Sequence, residues 1–133
     1  MSSLVLDTHT TVWALVDRKR LSANATAAID SAITANATVF VPTICIVEIT
    51  YLVEKGRLPT AVKTQLLAAL DDPTSNLVVA PLDLDIADGL GHVERDQVPD
   101  MPDRIIAATA VHLGLPLISR DRKIRASSVS TIW

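Results

Sequence analysis

An α/β fold built on a mainly parallel sheet is predicted by two features of the chain. Apolar runs of strand length alternate with longer segments of helical period, and Pro, Gly and charged turns punctuate the alternation. Leu4 to Leu6 reads as a first buried strand. Thr8 or Thr10 then caps a helix carrying Val12, Trp13 and Val16, which ends near the charged turn Asp17-Arg18-Lys19-Arg20. Ser22 or Asn24 caps a second, alanine-rich helix to about Ala35, and Val39-Phe40-Val41 is a second strand closed by Pro42. From Thr43 to Lys55 two tendencies compete: the Ile, Val and Thr content favours strand, while the length, the preceding Pro and the closing Lys55-Gly56 favour helix. A helix is expected there. Ala61 to Leu70 follows as an amphipathic helix, Leu77 to Ala80 as a third strand, and Asp85 to about Val93 as a polar-faced helix running into the loop Gln97-Val98-Pro99-Asp100-Met101-Pro102. Asp103 to Leu113 is a helix stopped by Gly114 and Pro116, Leu117-Ile118 a fourth strand, and Val129 to Trp133 an edge strand.

With 133 residues, one domain spanning 1–133 is expected, large enough to bury a core without disulfides or a structural metal. The hydrophobic fraction, 49%, is high, but no apolar stretch is long enough to cross a bilayer, so the excess is expected in a core and a partner interface and no membrane contact is foreseen. The first residues, Met1-Ser2-Ser3-Leu4-Val5-Leu6-Asp7, lack the basic region, long apolar segment and cleavage site of a secretory signal, so a cytoplasmic location is expected. Cys45 lies among Ile44, Ile46 and Val47 and reads as a packed thiol; no Cys or His cluster has zinc-ligand spacing. A net charge of -3 gives no global attraction for nucleic acid, leaving one local basic cluster, Arg120, Arg122, Lys123 and Arg125, around Asp121.

Four carboxylates stand where apolar segments end or where charge should be excluded: Asp7 after Leu4-Val5-Leu6, Glu48 inside Ile44-Cys45-Ile46-Val47-Glu48-Ile49, Asp103 before Ile105-Ile106-Ala107-Ala108, and Asp121 after Leu117-Ile118-Ser119. Desolvating a carboxylate costs several kcal/mol, on the order of 3 or more, unless a cation or hydrogen bonds replace the water. Any one Asp alone is explained as a helix cap or turn acid. Four together point to a shared divalent cation, and oxygen donors without His or thiolate select Mg²⁺ or Mn²⁺, the metals of phosphoryl chemistry. Thr8 and Ser119, each within two residues of a strand-end Asp, have hydroxyls that can orient a carboxylate or a water at the metal; capping the next helix or turn explains them equally. Arg104, Arg120 and Arg122 are candidate phosphate clamps, with solvated surface charge as the alternative. Asp100 reads as a loop acid before a fifth ligand, His9, His92 and His112 as structural, and Trp13 and Trp133 as core or interface residues.

The stretches Leu6-Asp7-Thr8-His9, Val47-Glu48-Ile49, Asp100-Met101-Pro102-Asp103-Arg104-Ile105-Ile106-Ala107-Ala108-Thr109-Ala110 and Leu117-Ile118-Ser119-Arg120-Asp121-Arg122-Lys123-Ile124 together resemble the PIN-domain ribonucleases, specifically the VapC toxins of bacterial toxin-antitoxin pairs. The resemblance runs nearly end to end, and its third and fourth stretches are the more specific. It implies an α/β/α sandwich around a parallel sheet and a Mg²⁺- or Mn²⁺-dependent endoribonuclease whose site acids match Asp7, Glu48, Asp103 and Asp121. It further implies a homodimer and a VapB-type antitoxin that folds over the site. Met101-Pro102 departs from the Pro-aromatic pair that many relatives have between the two acids, which bears on the loop and not on the acids.

Other chemistries fit less well. Aspartyl-phosphate hydrolysis of the haloacid-dehalogenase kind wants an acid two residues after Asp7, where His9 stands. A receiver-like switch wants an acid at the end of Val39-Phe40-Val41, where Pro42 stands. A catalytically inactive PIN-like scaffold that binds RNA or a protein partner remains as the alternative, although such a scaffold should have lost some of the four acids.

Overall fold

The computed structural model describes residues 3–133. In chain order the elements are β1 (Leu4–Leu6), α1 (Thr8–Val16), a 3-10 turn (Arg18–Arg20), α2 (Ala23–Thr34), β2 (Val39–Pro42), α3 (Thr43–Glu54), α4 (Thr60–Asp71), β3 (Leu77–Ala80), α5 (Leu84–Asp88), a second 3-10 turn (Gly89–His92), α6 (Met101–Leu113), β4 (Leu117–Ile118), α7 (Arg122–Ala126) and β5 (Thr131–Ile132). The five strands pair in the order β3-β2-β1-β4-β5, every pair parallel. An α/β/α sandwich results, as the sequence predicts. Leu4 and Leu6 belong to one buried cluster with Val12, Trp13 and Ile29, while Val5 joins Val41, Ile106 and Ile124 in another; the period-two alternation of β1 thus feeds both faces.

The strand order explains where a site must form. β1 is central: the chain winds outward through β2 and β3, then crosses back to place β4 on the other side of β1. Between the carboxyl ends of β1 and β4 the winding direction reverses, and the loops there diverge to leave a crevice.

The contested segment after Pro42 is helical, α3, because its length lets Cys45 and Ile49 bury against the two clusters on one helical face; strand propensity yields to packing. Several expectations are corrected at the element ends. Asp7, not Thr8 or Thr10, caps α1, its Oδ1 accepting the Thr10 N–H at 2.9 Å, while Ser22 caps α2. The polar-faced helix breaks at Gly89 into α5 and a 3-10 turn. Helix α6 begins two residues before Asp103, with Asp100 as its cap, and ends at Gly114, whose φ of 66° is the left-handed conformation that a Cβ disfavours. The basic cluster forms the short helix α7, which the sequence reading did not anticipate. Among the described residues, no helix is long and apolar enough to cross a membrane.

Candidate functional site

A pocket of about 790 Å³ opens at the crevice, and all four predicted acids line it. Each arrives from a different element: Asp7 from the end of β1, Glu48 from the second turn of α3, Asp103 from the first turn of α6, and Asp121 from the start of α7. Asp100 joins them, so the residue read as a loop acid faces the same space. Arg120, Arg122 and Arg125 line the pocket too, with Thr8, His9 and Trp13.

Local hydrogen bonds hold these side chains. Asp7 is 7% exposed, and besides capping α1 through Oδ1 its backbone N–H donates to the Ile118 carbonyl of β4 at 3.3 Å. Thr10 donates its hydroxyl to the same carbonyl at 3.1 Å, tying the start of α1 to the neighbouring strand. Thr8 donates its hydroxyl to Glu48 Oε1 at 2.5 Å, so of the two roles open to it, it orients a carboxylate. Ser119 is fully buried and its Oγ accepts the Asp121 N–H at 3.1 Å; it shapes the turn that presents Asp121 and makes no bond to a carboxylate. Asp121 Oδ1 accepts the N–H groups of Lys123 and Ile124 at 2.9 and 3.0 Å, which caps α7.

The carboxylates feel one another. Burial, and then the charges of Asp100, Asp121, Glu48 and Asp7, push the Asp103 carboxyl up to about 7. Burial is likewise the main cause that raises the Cys45 thiol, a hydrogen bond from Thr8 opposes it, and Asp7, Glu48 and Asp103 add to the rise; Cys45 is a packed, inert thiol beneath the acids, not a nucleophile. Among the described residues, no three acid, His or Cys side chains are drawn within coordinating range of one point. The donor set itself, carboxylate oxygens without His or thiolate, fits a hard divalent cation.

Two predicted site residues do not line the pocket: Ser119, buried behind the turn to Asp121, and Arg104. Arg104 Nε donates to the Val93 carbonyl at 2.9 Å and braces the loop before α6. Successive helical residues project about 100° apart, so a side chain adjacent to Asp103 in sequence cannot share its direction. Conversely, His9 and Trp13, read from the sequence as structural and as core or interface, line the pocket, and so does Arg125 of the basic cluster. His9 and Trp13 are one helical turn apart on α1, with ring centroids 5.6 Å apart, and Arg125 is three residues from Arg122 on α7. For Arg125, helical spacing from Arg122 was a further signal.

The family model described as PIN domain matches residues 4–128. Among solved structures, the chain is similar to VapBC2 from Rickettsia felis bound to a DNA fragment from their promoter, at 18% identity with 97% of this chain and 96% of that one covered and a TM-score of 0.72. It is also similar to a toxin-antitoxin complex from Klebsiella pneumoniae, at 20% identity, 98% and 96% coverage and a TM-score of 0.65. A third is VapBC-5 from Mycobacterium tuberculosis, at 20% identity, 98% and 96% coverage and a TM-score of 0.58. No curated protein matches the sequence.

Proposed function

This chain belongs to the PIN-domain family, and from that premise we propose that it is a metal-dependent endoribonuclease of the VapC toxin type, hydrolysing RNA phosphodiesters and inhibited by a VapB-type antitoxin. One observation carries the reading: four acids from four elements converge at the switch point of a parallel sheet, in one pocket, with Asp103 pushed up by burial and then by the neighbouring acids. The likeness to toxin-antitoxin complexes over nearly the whole chain supports the toxin assignment and the antitoxin partner.

Asp7, Glu48 and Asp103 would hold Mg²⁺ or Mn²⁺, with Asp121 completing a second or transient position. When bound, such an ion supplies an activated water and neutralises charge on the phosphate. The protein's own residues do the rest. Asp7 is locked by its bonds to Thr10 and Ile118, so its free oxygen keeps a fixed direction. Thr8 holds Glu48, and Ser119 fixes the turn that presents Asp121. Arg120 and Arg122, on the pocket wall, receive phosphate oxygens of the RNA backbone. Attack by water in line with the leaving oxygen leaves a 5′-phosphate and a 3′-hydroxyl, which separates this chemistry from ribonucleases that use the 2′-hydroxyl. A homodimer acting in the cytoplasm completes the proposal.

The test is cleavage of a mixed cellular RNA pool by purified, antitoxin-free protein with Mg²⁺ or Mn²⁺, beside EDTA and Asp103→Ala. Cutting lost in both controls, with 5′-phosphate ends, is expected. No cutting by demonstrably folded protein with either metal would leave an inactive PIN scaffold that binds RNA or a protein partner.

A further inference from the structure

Arg120 leaves β4 in the loop to α7, and its guanidinium carbon lies 5.0 Å from the centroid of the Trp13 ring. That indole is 6% exposed and is itself held: its ring centroid is 6.0 Å from that of Trp133. Trp133 directly follows β5, the edge strand paired to β4, and its carbonyl accepts a hydrogen bond from Asn24 Nδ2 at 3.2 Å. The last strand therefore delivers an aromatic side chain to the arginine-bearing end of its neighbour. An exposed arginine ordinarily samples many rotamers; stacked on a fixed indole it keeps few.

The charge pattern around it is unusual. Five carboxylates line the pocket, yet among the described residues the ion pairs are Arg18 with Asp30 and Arg20 with Asp17, and Arg120, Arg122 and Arg125 have no carboxylate partner. Cations held beside acids without pairing to them are available to an incoming anion. Arg122 and Arg125, three residues apart on α7, share a helical face, and with Arg120 they line one wall of the pocket that holds the acids. One phosphate between cations and acids would need one arginine. A wall of three matches a chain of phosphates.

We propose that Trp13 and Trp133 are a positioning pair for Arg120, and that Arg120 together with Arg122 and Arg125 forms the wall that holds the RNA backbone flanking the scissile phosphate. The proposal rests on the nuclease reading of the same pocket. Trp13 is a positioning residue here, since it acts through Arg120.

The experiment is fluorescence-anisotropy binding of a labelled mixed-sequence RNA oligonucleotide, in an Asp103→Asn background with Mn²⁺ so that the strand is held and not cut, over a series of salt concentrations. Arg120→Gln is expected to weaken binding about tenfold and to reduce the slope of log affinity against log salt by about 0.7. Trp13→Leu should weaken binding about three- to fivefold and lose part of the same slope, Trp13→Phe should retain both, and Trp13→Leu combined with Arg120→Gln should be no worse than Arg120→Gln alone. Because Trp13 is in the core, Trp133→Leu serves as the second variant and is expected to move the salt slope in the same direction. An unchanged slope in both tryptophan variants, or additive losses in the double variant, overturns the positioning pair. Unchanged RNA affinity on replacing all three arginines overturns the wall. Wild-type cleavage, run in parallel, separates the two readings. If it is present while the arginines are inert, the wall alone fails; if it is absent while the arginines still set affinity, the nuclease reading fails and the wall stands as an RNA-binding surface.

Discussion

The ends of β1 and β4 are built alike and behave differently. At each, an aspartate closes the strand region and caps the helix that follows, Asp7 on α1 and Asp121 on α7, with a carboxylate oxygen accepting backbone N–H groups. Asp7 is 7% exposed, heads a nine-residue helix packed into the core, and is tied across to Ile118 by its own N–H and by Thr10. Asp121 is half-buried, heads a five-residue helix with only Ile124 buried, and is surrounded by exposed arginines. One motif thus yields a buried anchor at one strand and a more exposed, cationic lip at the other. Burial and the length of the following helix decide which, and neither is visible in the motif itself.

The largest expected effect comes from removing charge while keeping the cap, since Asn caps a helix about as well as Asp. Asp7→Asn should lower metal-dependent RNA cleavage by more than about a hundredfold and Asp121→Asn by about tenfold, each with little change in melting temperature. Equal losses, measured in the same cleavage assay, would erase the distinction between anchor and lip. Next, Thr8→Val removes the bond that holds Glu48 and should cost about tenfold in cleavage, with Thr8→Ser restoring most of it. A valine variant as active as wild type would show that Glu48 needs no such restraint.

A pH effect follows from Asp103, whose carboxyl is pushed up to about 7 from an ordinary value near 4. Between those values the folded protein holds a proton that the unfolded chain has released. Metal-free stability should therefore fall as pH rises through that window and level off above it. Proton and cation compete for the same oxygens, so Mn²⁺ affinity should rise over the same interval and flatten beyond about pH 7. Melting curves and Mn²⁺ titrations between pH 4 and 8 test both trends, and Asp103→Asn should abolish them. The smallest effect is expected at Arg104→Gln, which should leave cleavage unchanged and cost about 1 kcal/mol of stability through the lost bond to Val93, a few degrees in melting temperature.

Much of this was legible in the sequence, for identifiable reasons. Short apolar runs broken by Pro and Gly marked the strands β1 to β4, and a carboxylate inside Ile44 to Ile49 stood out because burying it needs a partner. What stayed hidden depended on direction and context. Arg104 looked like a site residue because it adjoins Asp103, but the helical twist turns it to Val93. Helix α7 is five residues long and mostly charged, so it has no apolar period to read. His9 and Trp13 reach the pocket only because α1 runs along the crevice that the crossing from β3 to β4 opens, a fact of topology and not of local pattern.

The central claim is that Asp7, Glu48 and Asp103, with Asp121 beside them, hold a divalent cation, and Mn²⁺ binding followed by electron paramagnetic resonance tests it most directly. The free-ion signal should fall on titration into wild-type protein near pH 7.5 and should persist with Asp7→Asn or Asp103→Asn, both still folded by circular dichroism. A free-ion signal untouched by wild-type protein, or equally quenched by all three proteins, would contradict it.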